Sequence, residues 1–273
     1  MILEDGKIRV DIRPVSSLLP HEDTIPEHLN KMVAQINRDG VQKDPLIVDR
    51  ESGAVLDGMH RLNAFVKLGL ENIVCCLVDY SSPEIELRRW ARVYKVPHKS
   101  LVSQALGGLG IGRTTTFSEA FDSLDARKCG LAALGLEGCY VPEGPIDLGR
   151  AFRMVRALDE LGRTLGWQRS FATEDEVDVS LQDGNNLVIL VQRLTKQDVL
   201  TAARTGTLFP CKTSMHTIDP RPVALGFPIG ELNSATRRSL SEFMEKRPSK
   251  TLPPNSVYEG RRYKERLLLL NPR

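Results

Sequence analysis

The chain has 273 residues, 41% of them hydrophobic, with 37 basic against 35 acidic side chains and a formal net charge of +2. That is enough for one large domain or two ordinary ones around a buried core, and the charge is too mild and too evenly mixed for a surface that coats nucleic acid. No apolar stretch has the length of a membrane span, and the opening MILEDGKIRV has an acidic pair where a signal peptide has positive charge followed by an apolar run. The expectation is a cytoplasmic protein with no membrane and no nucleic-acid partner. Five cysteines without a CxxC spacing, two of them adjacent at Cys75 and Cys76, read as buried reduced thiols and not as a structural zinc site.

Lys7 to Pro14 alternates, with Ile8, Val10 and Ile12 on one face, and reads as a first strand. After a loop through His21-Glu22-Asp23, Thr24 and Glu27 have capping-box spacing and Pro26 falls in the first turn of a helix. Leu29, Met32, Val33 and Ile36 mark its buried face, and Gly40 its end. Lys43-Asp44-Pro45 leads into two apolar runs, Leu46 to Asp49 and Ala54 to Asp57, joined by Arg50-Glu51-Ser52-Gly53 as a tight turn. Leu62, Phe65 and Val66 then fall at helical spacing up to Gly69.

This order places Gly58 on a strand-to-helix turn. Glycine there allows close backbone approach, the helix start presents N–H groups to an anion, and His60 and Arg61 add polar or cationic side chains at the same point. The ligand such a turn expects is a phosphate.

Ile73 to Asp79 reads as a further strand, and Pro83 as the start of a helix through Trp90, Arg92 and Tyr94 that closes a first α+β domain near residue 95. From Pro97 to Ile146 the pattern weakens to a connection. Its GLGIG run lacks the following Lys-Ser/Thr and the preceding apolar strand of a phosphate loop. Asp147 to Leu165 is an amphipathic helix, and Val177 to Leu181 with Leu187 to Val191 reads as a hairpin across Gln182 to Asn186. Thr195 caps a helix to about Arg204. Leu208 to Pro222 reads as irregular, with Lys212, Thr213, Ser214 and His216 bunched together, Glu231 to Lys246 reads as a helix, and Leu267 to Leu270 can dock on the core.

The turn AVLDGMHRLNAF and the elements around it resemble the ParB/sulfiredoxin-like superfamily, whose Gly-x-x-Arg or Gly-Cys-His-Arg turn cradles nucleotide phosphates. Within it, His21-Glu22-Asp23, the KDPLIVD run from Lys43, VLDGMHR, Trp90 and PCKTSMH look like the free L-serine kinases, a ParB-like branch that makes O-phospho-L-serine. The resemblance covers the first 95 residues well and the second half through that last segment and the Arg-Pro after it.

It implies an α+β protein: a ParB/sulfiredoxin-like nucleotide-binding domain over 1–95, and a mixed α/β substrate-binding domain over 96–273, with the active site in the cleft between them. It implies a phosphotransferase using ATP or ADP with Mg²⁺ on a small amino acid. Glu22 would be the base on the serine hydroxyl. Lys43, Asp57, Gly58, Met59, His60 and Arg61 would bind the nucleotide phosphates, with Asp57 also ligating Mg²⁺ or ordering a neighbouring group. Trp90, Lys212, Thr213, Ser214 and His216 would bind substrate, Lys212 and His216 neutralising either the serine carboxylate or the transferred phosphoryl.

Met59 stands where these kinases usually have His, removing one donor from the turn. It also argues against a sulfiredoxin, because a thioether cannot form that enzyme's thiol-based intermediate. The other readings are a ParB-like nucleotide-binding protein that binds DNA or acts as a regulator, for which a helix-turn-helix and a basic stripe would be needed that residues 96–146 do not supply, a non-catalytic scaffold, and a kinase for another small hydroxyl compound.

Overall fold

The computed structural model describes residues 2–3, 7–97, 101–135, 138–246 and 249–271. The chain divides into two units, each mixing helices with sheet in an α+β fold. The first comprises Met1–Glu86, Lys196–Cys211 and His216–Arg273, and the second Leu87–Thr195 and Lys212–Met215. Where the sequence pattern suggested a division after residue 95, the chain leaves the first unit after Glu86 and returns to it twice.

The first unit opens with β1 (Ile2–Leu3) and β2 (Ile8–Pro14), followed by α1 (Pro26–Asp39), β3 (Val41–Gln42), β4 (Leu46–Asp49), β5 (Val55–Asp57), α2 (Met59–Lys67) and β6 (Asn72–Val78). Their sheet runs β1-β2-β6-β4-β5, antiparallel except for the β4–β6 pair. Runs such as NIVCCLV in β6 are buried on both faces. All five cysteines are buried as thiols, and burial pushes up those of Cys75 and Cys76.

The expected capping box of α1 is not formed. Ile25 is the N-cap residue, with no side-chain cap and Pro26 at the first helical position. Its N–H is bound instead by the ring of His60, so a tertiary contact starts this helix.

The second unit contains β7 (Glu86–Lys95), α3 (Val102–Gly108), β8 (Arg113–Thr115), α4 (Phe117–Asp125), β9 (Leu131–Gly135), β10 (Gly138–Val141), α5 (Leu148–Thr164), β11 (Gln168–Thr173), α6 (Val177–Gln182) and β12 (Asn186–Val191). Three expectations are corrected here. The segment expected as a helix through Trp90 is the strand β7, the partner of both β11 and β12 in the sheet β11-β7-β12-β9-β10-β8. Residues 97–146 are not a connection, since they supply β8, β9, β10 and two helices. Val177 to Leu181 lies in α6, so there is no hairpin with β12. The core between this sheet and its helices gathers Ala91, Val93, Leu124, Leu134, Val188 and Leu190.

The chain then forms α7 (Lys196–Thr205), β13 (Ser214–Thr217), β14 (Arg221–Val223), β15 (Phe227–Pro228), α8 (Arg237–Glu245), β16 (Lys250–Leu252), β17 (Val257–Tyr258), β18 (Arg261–Arg262) and β19 (Leu267–Leu269). The helix expected from Glu231 begins only at Arg237, capped by Thr236. In the first unit, β15 pairs with β3, and β14, β19 and β16 form a small sheet that buries Leu267 to Leu270, as expected of that run. No helix among the described residues is long and apolar enough to cross a membrane.

Candidate active site

Eight of the residues singled out from the sequence, Glu22, Lys43, Asp57, Gly58, Met59, His60, Arg61 and His216, fall in the first unit; Trp90, Lys212, Thr213 and Ser214 fall in the second. In the first unit the site is built on the end of β5. Asp57 is its last residue, and Gly58, at φ +106°, is the N-cap of α2. A Cβ on Gly58 would come within 2.4 Å of a Leu46 methyl and 2.8 Å of Arg61 Nη1, so glycine is needed both for the backbone angle and for the space. Arg61 fills that space because its Nη1 donates to the carbonyl of Pro45 at 2.7 Å, with Asp44 3.7 Å from Nη2. The first turn of α2 thus brings helix N–H groups and a fixed guanidinium to one point, as an anion site requires.

Met59 is buried and contributes to packing. His60 accepts the Ile25 N–H at Nε2, which leaves Nδ1 as the protonated nitrogen of the neutral ring. Lys43 is half-exposed, and its ammonium lies 2.7 Å from Glu259.

The loop that holds Glu22 is laid along the same strand. Leu19 bridges Ala54 in parallel, Val55 N–H donates to the Leu19 carbonyl, and His21 Nδ1 donates to the Val55 carbonyl at 2.8 Å. On its other side Glu22 bridges Phe209, with Phe209 N–H bound to His21 and Asp23 N–H to Phe209. Together with the Ile25–His60 bond, these ties hold Glu22 between two anchors, one on β5 just before Asp57 and one on α2 just after Gly58. Its side chain is 10% exposed, with one oxygen 3.9 Å from His21 Nε2.

His216 is buried. Its Nε2 is 2.8 Å from the Tyr80 hydroxyl, it bonds to the backbone of Leu56, and its ring lies edge-on to that of His21 at 5.7 Å. Two histidines from distant parts of the chain therefore hold successive residues of β5, Val55 and Leu56. Burial lowers the pKa of both, that of His216 strongly, and outweighs the carboxylates nearby, Glu22 for His21 and Asp57 for His216.

In the second unit, Lys212, at φ +56°, sets its ammonium 4.6 Å above the Trp90 ring, and the Thr213 carbonyl accepts the Trp90 N–H. Thr213 and Ser214 are buried. A cation over an indole with buried hydroxyls alongside is a small polar cluster built on β7.

No protein-family model matches the chain. A ParB-like protein of Sulfolobus acidocaldarius is 40% identical over 76 residues, which is 28% of this chain and 38% of that protein. An ATP-dependent L-serine kinase of Desulfurococcus mucosus is 25% identical over 233 residues, 80% of this chain and 89% of the kinase. A solved structure of a free serine kinase in complex with AMP superimposes with a TM-score of 0.70 at 20% identity, covering 83% of this chain and 94% of the other. The fold is that of the free serine kinases.

Within this free serine kinase fold, Arg221, noted in the sequence only as part of the Arg-Pro after PCKTSMH, stands next to Asp57, and Glu265, assigned no role from the sequence, stands behind it. Arg221 Nη1 is 3.5 Å from Asp57, and Arg221 Nε is 2.5 Å from Glu265, both partners lying in the first unit. Burial acts to lower the Arg221 pKa, and the Asp57 and Glu265 carboxylates outweigh it, leaving the group raised. The signal available in the sequence was an arginine just after the PCKTSMH segment, in a short stretch ending in Pro-Val-Ala-Leu, where a core strand would otherwise be apolar.

Proposed function

We propose that the chain is a small-molecule kinase that transfers a phosphoryl group from ATP or ADP to the hydroxyl of free L-serine, giving O-phospho-L-serine. The observation that carries this reading is the anchoring of Glu22 on both sides of the Asp57–Gly58 turn, in a chain similar to L-serine kinases over most of its length.

A serine hydroxyl is a poor nucleophile at neutral pH, and phosphoryl transfer to it depends on alignment and on neutralising oxygen charge. In this mechanism the α2 start, Arg61 and His60 hold the donor phosphates, with Lys43 beside them. Glu22 takes the proton from the serine Oγ as the Oγ–P bond forms and the bond from phosphorus to the leaving nucleotide breaks. Trp90, Lys212, Thr213 and Ser214 are assigned to the amino acid by the resemblance to the kinases, and His216 supports β5 from within the unit.

Mg²⁺ in kinase sites takes one or two carboxylates together with phosphate oxygens. Asp57, with its carboxylate 45% exposed, suits that arrangement, whereas among the described residues no group of three or more His, Cys, Asp or Glu forms a cage of its own. The ion would lie against Asp57 and supply positive charge to the phosphate oxygens.

The test is incubation with ATP or ADP, Mg²⁺ and a panel of free amino acids, with product mass read directly. Phosphoserine is the expected product. In Glu22→Ala the turnover should fall by about 10²- to 10⁴-fold, the usual worth of a general base, with nucleotide affinity kept. No phosphorylated amino acid with either nucleotide would sink the reading, and salt-dependent DNA binding in its place would indicate a ParB-like regulator. Unchanged turnover in Glu22→Ala would remove Glu22 from the mechanism.

A further inference from the structure

Arg221 has three acceptors from three separate segments. Nε bonds Glu265 at 2.5 Å, Nη2 bonds the His216 carbonyl at 2.5 Å, and Nη1 lies 3.5 Å from Asp57. A guanidinium is a rigid planar fork, so the two short bonds fix its plane and thereby the position of Nη1. The third contact is ion-pair distance without hydrogen-bond length. Exposure follows the same division: the side chains of Arg221 and Glu265 are 7% and 9% exposed, and that of Asp57 is 45% exposed. A fixed buried cation therefore faces a carboxylate that keeps access to solvent.

The backbone sets this pair. Arg221 N–H donates to the Arg266 carbonyl at 2.9 Å, and β14 runs parallel to β19 with Arg221 opposite Leu267. That register brings Glu265, two residues before β19, alongside the guanidinium.

If Arg221 served only as counter-ion to Asp57, a second buried carboxylate on the same guanidinium would be superfluous. With Glu265 bonded to it, Arg221 neutralises Asp57 only in part, and the carboxylate is held in place with charge left for a ligand. The geometry points to Arg221 and Glu265 as a positioning pair for the nucleotide site, acting through Asp57. This rests on the kinase reading for the identity of the ligand and on the distances alone for the coupling.

The experiment is a double-substitution cycle on the full chain, reading ADP affinity in Mg²⁺ by titration calorimetry for the unsubstituted chain, Arg221→Lys, Asp57→Asn and the double variant. Glu265→Gln, which keeps the arginine, serves as a second route if Arg221→Lys melts early. Arg221→Lys and Glu265→Gln should each weaken ADP binding by about tenfold and have no further effect once Asp57 is Asn, because residues acting through one another are non-additive. Full additivity in the Asp57→Asn background, or unaltered ADP affinity in both single variants, would overturn the inference. Phosphoserine formation by the unsubstituted chain is scored separately. Its absence would remove the kinase reading and leave the binding cycle to decide the positioning pair.

Discussion

At the scale of single residues, Gly58 has little freedom to change. Its φ of +106° costs an L-residue on the order of 1–3 kcal/mol, and its missing Cβ is the room that Leu46 and Arg61 occupy. In Gly58→Ala the guanidinium must leave the Pro45 carbonyl or the helix start must shift, and either change moves donors away from the proposed phosphate site. Chemical denaturation should show a loss on the order of 1–3 kcal/mol, and titration with ADP should show binding weakened by at least about tenfold, the effect of roughly one lost charge-assisted hydrogen bond. Wild-type affinity in a stably folded Gly58→Ala chain would mean that the phosphates bind elsewhere.

At the scale of elements, β5 is a three-residue strand held by more than its ladder, since His21 and His216 bond its Val55 and Leu56. Burial lowers the pKa of both rings below the 6.5 of an unfolded histidine, that of His216 more strongly. Above that pH both states are neutral and the contribution is complete. As the pH falls below it, the unfolded chain takes up protons that the folded chain refuses, so stability drops by up to about 1.4 kcal/mol per pH unit for each histidine. Thermal melts from about pH 8 to pH 5 should show the midpoint falling, and the fall should be shallower in His216→Gln; a flat profile would mean that neither pKa is lowered. These side-chain ties were invisible in the sequence, though the strand, turn and helix order around them was legible from apolar runs and from Gly58. The Glu22 loop was legible only through family resemblance, because a carboxylate before a helix has no pattern of its own. β7 was misread for a physical reason: Leu87, Trp90, Ala91 and Tyr94 also fit helical spacing, and its buried Arg89 and Arg92 are paired with Glu174 and Asp159, far along the chain. In α6, the alternation of VDVSL imitated a strand, while the helix-start signal lay just before it in the Thr173–Glu176 capping box.

At the scale of the molecule, the order of residues and the order of packing differ, and this decides which fragments can fold. The second unit is nearly continuous: residues 87–195 contain its sheet from β7 to β12 and lack only Lys212–Met215. The first unit takes its core from three stretches. A chain ending at residue 95 loses Phe209, Leu225, Phe227, Leu240 and Leu267 to Leu270, all buried, together with the β3–β15 pairing and the Phe209 bridge to Glu22. Fully burying one such side chain is worth about 1.5–3 kcal/mol. The first four of them alone come to about 6–12 kcal/mol, comparable with the roughly 5–15 kcal/mol by which a whole domain is stable. Fragment 87–195 should melt cooperatively by circular dichroism, and fragment 1–95 should show no cooperative transition and low dispersion in its proton spectrum. A cooperative melt of 1–95 would mean that the returning segments dock on a domain already complete, and Phe209 and Arg221 would then be additions to the proposed nucleotide site rather than part of the fold that forms it.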